Sequence, residues 1–167
     1  MTYDRQPNES TLAMMQQVFN LSLTPQHPAT ETAQARSELV IDQQTCGIVI
    51  PGSVLEAAIE INAGRFVLFV TDGISYEESL TIVLYQRGEG VQEIIHIENA
   101  YSSGFFEQLT LYQDHIEFNF LGEARWSLEV ADTPKFALPF IGDPQYVKRS
   151  PGFKKQLLIT SHETRAG

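Results

Sequence analysis

The chain has 167 residues, 43% of them hydrophobic, and carries a formal net charge of −10. A polypeptide of this length buries about 70% of its unfolded surface in one domain, which argues against wholesale disorder. No apolar run approaches the roughly 18 residues that cross a bilayer, and a chain this acidic repels nucleic acid, whose binding depends on cationic contacts to phosphate.

The first ten residues, MTYDRQPNES, show no basic region followed by an apolar one, so no secretory signal is visible. Ser10 to Leu21 reads as a short amphipathic helix. Ser10 suits an N-cap, and Leu12, Met15, Val18 and Phe19 fall on one stripe at helical spacing. Thr24 to Ser37 is polar and contains Pro25 and Pro28, the composition of a linker or loose loop.

Strand patterns begin next. Leu39 to Ile41 and Ile48 to Ile50 form a pair of short strands around a turn at Gln43 to Gly47, ended by Pro51-Gly52. From Leu55 to Ile61, Leu55, Ala57, Ile59 and Ile61 alternate with outward Glu56 and Glu60, and Asn62-Ala63-Gly64 turns the chain. Phe66 to Val70 is apolar at every position. A strand of that kind is covered on both faces, so the N-terminal helix or another sheet must lie over its second side.

Leu80 to Tyr85 and Val91 to Glu98 follow, joined by a turn at Arg87 to Gly90. After the loop Asn99 to Gly104 come Phe106 to Tyr112 and a turn at Gln113-Asp114. Ile116, Phe118 and Phe120 then face one way while His115, Glu117 and Asn119 face the other. Gly122-Glu123, glycine first, suits a type II′ hairpin into a strand with Trp126, Leu128 and Val130 inward. Beyond Asp132, Pro134, Pro139, Pro144 and Pro151 exclude a central strand and suggest an extended wrap, with a last strand at Phe153 to Thr160.

These elements predict a mainly β chain: an antiparallel meander forming a sandwich or a partly closed barrel, with one short N-terminal α-helix. The expected division is helix and linker over residues 1–37, a single antiparallel β domain over 38–160, and a tail over 161–167.

The charge is unevenly placed. Glu38 to Asp132 holds 16 acidic residues against Arg65, Arg87 and Arg125, a local net of −13, whereas Thr133 to Gly167 holds six basic and two acidic residues, a net of +4. An acidic sheet attracts a basic partner and speeds the encounter. The leading expectation is therefore a non-enzymatic, cytoplasmic protein that covers a basic protein surface, as bacterial immunity proteins cover a toxin. Glu56, Glu60, Glu98, Glu117 and Glu129 would pair with lysine or arginine, with Tyr76 and Tyr101 as aromatic contacts. No cofactor, nucleic-acid or membrane partner is expected. The lone Cys46 cannot form an internal disulfide, which suits a reducing compartment.

Two rivals stand beside this reading. Loop tyrosines also line sugar-binding faces, so a sugar- or small-ligand-binding β module is one alternative. The other is a metal-dependent enzyme built on His96-x-Glu98 and His115-x-Glu117, each pair sharing a strand face. In a meander the two host strands stand about 10 Å apart, which is wide for one ion. Asp72, Glu77 and Glu78 match no EF-hand spacing, and Ser102-Ser103-Gly104 and Arg87 to Gly90 match neither a nucleophile elbow nor a phosphate loop.

Overall fold

A computed structural model describes residues 15–73, 79–100, 102, 104–139 and 141–163. The described residues form thirteen strands in three antiparallel sheets, with no closed barrel. A central six-stranded sheet has the order β1 (Gln16–Val18), β5 (Val54–Asn62), β6 (Arg65–Thr71), β7 (Ser79–Gln86), β8 (Gly90–Glu98) and β12 (Val147–Arg149). A small sheet joins β2 (Leu21–His27), β3 (Arg36–Ile41) and β4 (Gln44–Pro51). The third sheet has the order β13 (Lys154–Glu163), β11 (Ala124–Phe136), β10 (Ile116–Asn119) and β9 (Glu107–Leu111).

The small and four-stranded sheets cover opposite faces of the central one, because the alternation on β6 and β7 supplies two cores. Val67, Phe69, Leu80, Ile82 and Leu84 pack with Ile116, Phe118, Trp126, Leu128 and Leu157 of the four-stranded sheet. Phe66, Leu68, Val70, Val83 and Tyr85 pack with Leu21, Leu39, Ile41 and Ile50 of the small sheet. Every residue of β6 is buried, as a strand apolar on both faces requires. The second cover is a sheet.

The predicted helix is not there. No helix occurs among the described residues. Of Ser10 to Leu21, residues 10–14 lie outside them, and Gln16, Gln17 and Val18 pair with Glu60, Ile59 and Ala58 at the edge of the central sheet. Backbone pairing with β5 outweighs a four-residue apolar stripe, since a helix this short gains little from propensity alone. Phe19, counted on that stripe, is 84% exposed. The predicted linker is partly strand as well, with Thr24 opposite Glu38 and Pro25 opposite Ser37. β2 is an edge strand, where a proline's missing donor can be tolerated.

The turns fall close to their predicted places. Asp42 and Gln43, both at positive φ, link β3 to β4, and Gly122 takes φ +66 before the Trp126 strand. The Trp126 indole is buried and donates to the Phe120 carbonyl at 2.9 Å. Gly52, at φ +104, carries the chain from the small sheet to the central one; a Cβ there would lie 2.3 Å from Val70 Cγ1.

The chain departs from a simple meander at Asn99 to Gly104. β8 belongs to the central sheet and β9 to the four-stranded one, so these sequence neighbours do not pair. The proline-rich segment does not simply wrap: β12 adds to the edge of β8, and Pro134 falls where the β11–β13 register shifts between Val130 and Lys135. The Ala131 carbonyl beside that shift accepts a 2.7 Å bond from buried Arg65 at the start of β6, tying the two sheets together.

Candidate functional site

The four-stranded sheet packs inward through Ile116, Phe118, Trp126 and Leu128, so alternation turns Glu117, Asn119, Arg125, Ser127 and Glu129 to its outer face. Cross-strand register sets them in rows. Asn119 lies opposite Arg125 and Arg125 opposite His162; Thr110 faces Glu117, which faces Ser127, which faces Thr160. Glu129 pairs with Leu158.

Arg125 is held from three sides. Its Nε donates to Glu117 at 3.0 Å, Nη1 to Asn119 Oδ1 at 2.7 Å and to the Gln108 carbonyl at 3.1 Å, and Nη2 to Thr110 Oγ1 at 3.1 Å. The planar guanidinium matches such a fixed fork of acceptors. Glu117 also reaches His115 Nε2 at 3.0 Å, while Asp114 sits 2.7 Å from His115 Nδ1. Tyr112, 43% exposed, stacks on the imidazole with ring centroids 4.5 Å apart.

This chain of contacts sets the proton affinities. The hydrogen bond to Asp114, and then that to Glu117, raise the His115 pKa above the ordinary imidazole value. The same imidazole, followed by Arg125, holds the Glu117 carboxyl below the usual range, and His115 does the same for Asp114. A carboxylate beside each ring nitrogen favours the imidazolium over the neutral ring more than water does.

The segment from β9 to the middle of β11 is acidic. Residues 107–132 contain Glu107, Asp114, Glu117, Glu123, Glu129 and Asp132 against Arg125 alone, a net of −5 with histidine neutral. Glu107, Glu123 and Asp132 had no place in the predicted set; Glu107 lies opposite Asn119, Glu123 in the β10–β11 turn and Asp132 within the register shift of β11.

The other candidates scatter. Glu56 accepts from Thr71 Oγ1 at 2.7 Å, and Glu60 accepts the Gly64 N–H at 3.2 Å and so caps its own hairpin. Glu98 meets Lys148 Nζ at 3.3 Å. These three stand on the central sheet, apart from Glu117 and Glu129. Tyr76 and Tyr101 lie outside the described residues, as do Glu77 and Glu78.

The histidine pairs do not converge. His96 is on β8 of the central sheet, whereas His115 precedes β10 of the four-stranded one. Burial lowers the His96 pKa. Its Nδ1 lies 3.0 Å from the Thr81 hydroxyl, which accepts from Gln34 at 3.2 Å. Among the described residues no group of three or more His, Cys, Asp or Glu side chains is placed to hold a metal ion. Cys46 donates to the Leu39 carbonyl at 3.1 Å. No helix among the described residues is long and apolar enough to cross a membrane.

No protein-family model matches the chain, and no curated protein and no solved structure matches it.

Proposed function

We propose that the chain is a non-enzymatic, cytoplasmic protein-binding domain that covers a basic surface of a partner protein, with the outer face of the four-stranded sheet as its contact. One observation carries this reading: Glu107, Glu117 and Glu129 share the outer face with Arg125, while Asp114 and Glu123 stand in the turns at its ends, and that arginine is already engaged by Glu117, Asn119, Thr110 and Gln108. Among the described residues, the ion pairs these carboxylates make within the chain are those of Glu117 with Arg125 and His115 and of Asp114 with His115, while Glu129 lines a cleft with Arg149 and Lys155.

The action is steric occlusion, the mode of an inhibitor of the immunity-protein type. Glu107, Glu117 and Glu129 set the encounter rate and the choice of partner, and the stacked Tyr112–His115 pair supplies the aromatic contact from which most affinity comes. Glu56, Glu60 and Glu98, held by groups of their own chain, add to the long-range field.

The immobilised chain should retain a basic protein from a lysate at low salt, and lose it as salt is raised or when Glu107→Lys and Glu129→Lys are introduced together. Retention of the same protein by the charge-reversed chain, or of a sugar ligand indifferent to salt, refutes the proposal.

A further inference from the structure

Phe136, Leu138, Ile141 and Phe153 are 76%, 54%, 61% and 59% exposed, a concentration of bare apolar side chains that calls for an explanation. They lie on one arm at the far end of the four-stranded sheet. Beyond its register shift, β11 sets Lys135 opposite Lys155 and Phe136 opposite Lys154, and the Ala137 N–H donates to the Phe153 carbonyl at 2.8 Å. The Phe136 and Phe153 rings lie almost parallel, with centroids 6.2 Å apart. Pro134, Pro139 and Pro151 leave three positions of the arm without a backbone donor.

The arm is also the positive end of an acidic molecule. Lys135 and Lys154 flank the phenylalanines and are exposed, and the Lys148 side chain, 3.3 Å from Glu98, is 67% exposed. A groove of about 440 Å³ beside them is lined by Pro139, Lys148, Arg149, Pro151, Gly152 and Lys155. Asp143, the carboxylate on its wall, is neutralised by Arg149 at 2.8 Å and Lys155 at 3.4 Å.

We infer that this arm anchors the chain to an anionic membrane surface. Phe136, Leu138, Ile141 and Phe153 enter the interfacial zone, and Lys135, Lys154 and Lys148 meet the lipid headgroups. Apolar side chains ringed by lysines are what such an interface binds, the stems lying along the apolar zone and the ammonium groups in the headgroup layer. A bilayer needs no shaped pocket to receive a protruding arm, whereas a protein partner does. The rest of the molecule does not forbid the approach. Asp132 and Glu129 stand four and seven residues up the strand from Phe136, roughly 13 and 23 Å at strand spacing, beyond a Debye length of about 8 Å at physiological salt, and Glu129 lines a cleft with Arg149 and Lys155. The sequence expectation of no membrane partner rested on the lack of a spanning segment, which interfacial binding does not require.

The test is sedimentation of the full chain with vesicles of phosphatidylcholine alone and of phosphatidylcholine with phosphatidylserine. The chain should pellet with the anionic vesicles only and be released by high salt. Phe136→Ser with Phe153→Ser should lower partitioning about tenfold or more, and Lys135→Glu with Lys154→Glu by more than about 30-fold. All four positions are exposed, so the variants should melt with the parent chain. Glu107→Lys with Glu129→Lys should leave vesicle binding in place, which separates this inference from the basic-partner proposal. Failure to pellet with anionic vesicles, arm variants that pellet like the parent, or an arm that captures an acidic protein while ignoring lipid would each overturn it.

Discussion

Glu93 of β8 and Arg149 of β12 meet at 2.9 Å with side chains only 15% and 11% exposed. The Glu93 carboxylate also accepts the Gln156 and Leu157 N–H groups, both at 2.9 Å, so one acid of the central sheet holds the start of β13 in the four-stranded sheet. Arg149 is satisfied in turn by Asp143 and the Leu157 carbonyl. Neutralising Glu93 takes one of the two carboxylates from part-buried Arg149 and weakens the acceptor of two backbone N–H groups. Glu93→Gln should therefore destabilise the fold by about 2–4 kcal/mol in urea unfolding. A change below about 0.5 kcal/mol, the range of ordinary surface substitutions, would mean that this clasp does not hold the sheets.

Gly52→Ala meets two obstacles at one position: a backbone at φ +104 and a Cβ 2.3 Å from Val70 Cγ1 on a fully buried strand. Strain from the positive φ and overpacking should together cost about 2–5 kcal/mol. A lower thermal midpoint should report it. Gly88→Ala, with nothing within 4 Å of its Cβ, should bear only the backbone part.

Trp126 is the sole tryptophan, is 1% exposed, and bonds the Phe120 carbonyl. Its fluorescence should be blue-shifted in the folded chain and move red on unfolding. Trp126→Phe removes the indole bond and leaves space behind, for about 1–3 kcal/mol. Emission at the wavelength of hydrated tryptophan in the native protein would contradict the burial.

The two described histidines within β8 and beside β10 should titrate in opposite directions. Unfolded, both lie near pKa about 6.5. His115 is raised by Asp114 and then Glu117, so its stabilisation is fully present below about pH 6.5 and is lost as pH rises through its raised folded value. Asp114 and Glu117 are lowered, so theirs is present above about pH 4.5 and is lost as pH falls. The cluster therefore contributes most between those limits. His96, lowered by burial, resists protonation in the fold and costs stability as pH falls below about 6.5. Proton NMR should show the His115 midpoint above that value and the His96 midpoint below it. Asp114→Asn should bring the first part of the way back, Glu117 remaining, without moving the second.

Much of this architecture was legible because burial on two faces leaves a mark. Phe66 to Val70 announced a covered strand, and Ile116, Phe118, Trp126 and Leu128 announced one core face. What failed was local. Met15, Val18 and Phe19 fit helical spacing, but in so short a window period alone does not separate helix from strand, and the deciding contact was β5, some forty residues away. The jump from β8 to β9 was equally silent, because alternation names the buried face and not the sheet it joins. That silence put the two histidine pairs in one sheet, about 10 Å apart, in the sequence reading. It also hid the clustering on the outer face, where Glu117 meets Arg125 only through the β10–β11 register.

The most direct test concerns the acidic face. The association rate of the captured basic partner should be measured at low and high salt for the parent chain and for Glu107→Lys with Glu129→Lys. We expect the reversed chain to associate at least about tenfold more slowly at low salt and to lose most of its salt dependence. Equal rates with equal salt dependence would show that the partner does not meet this face.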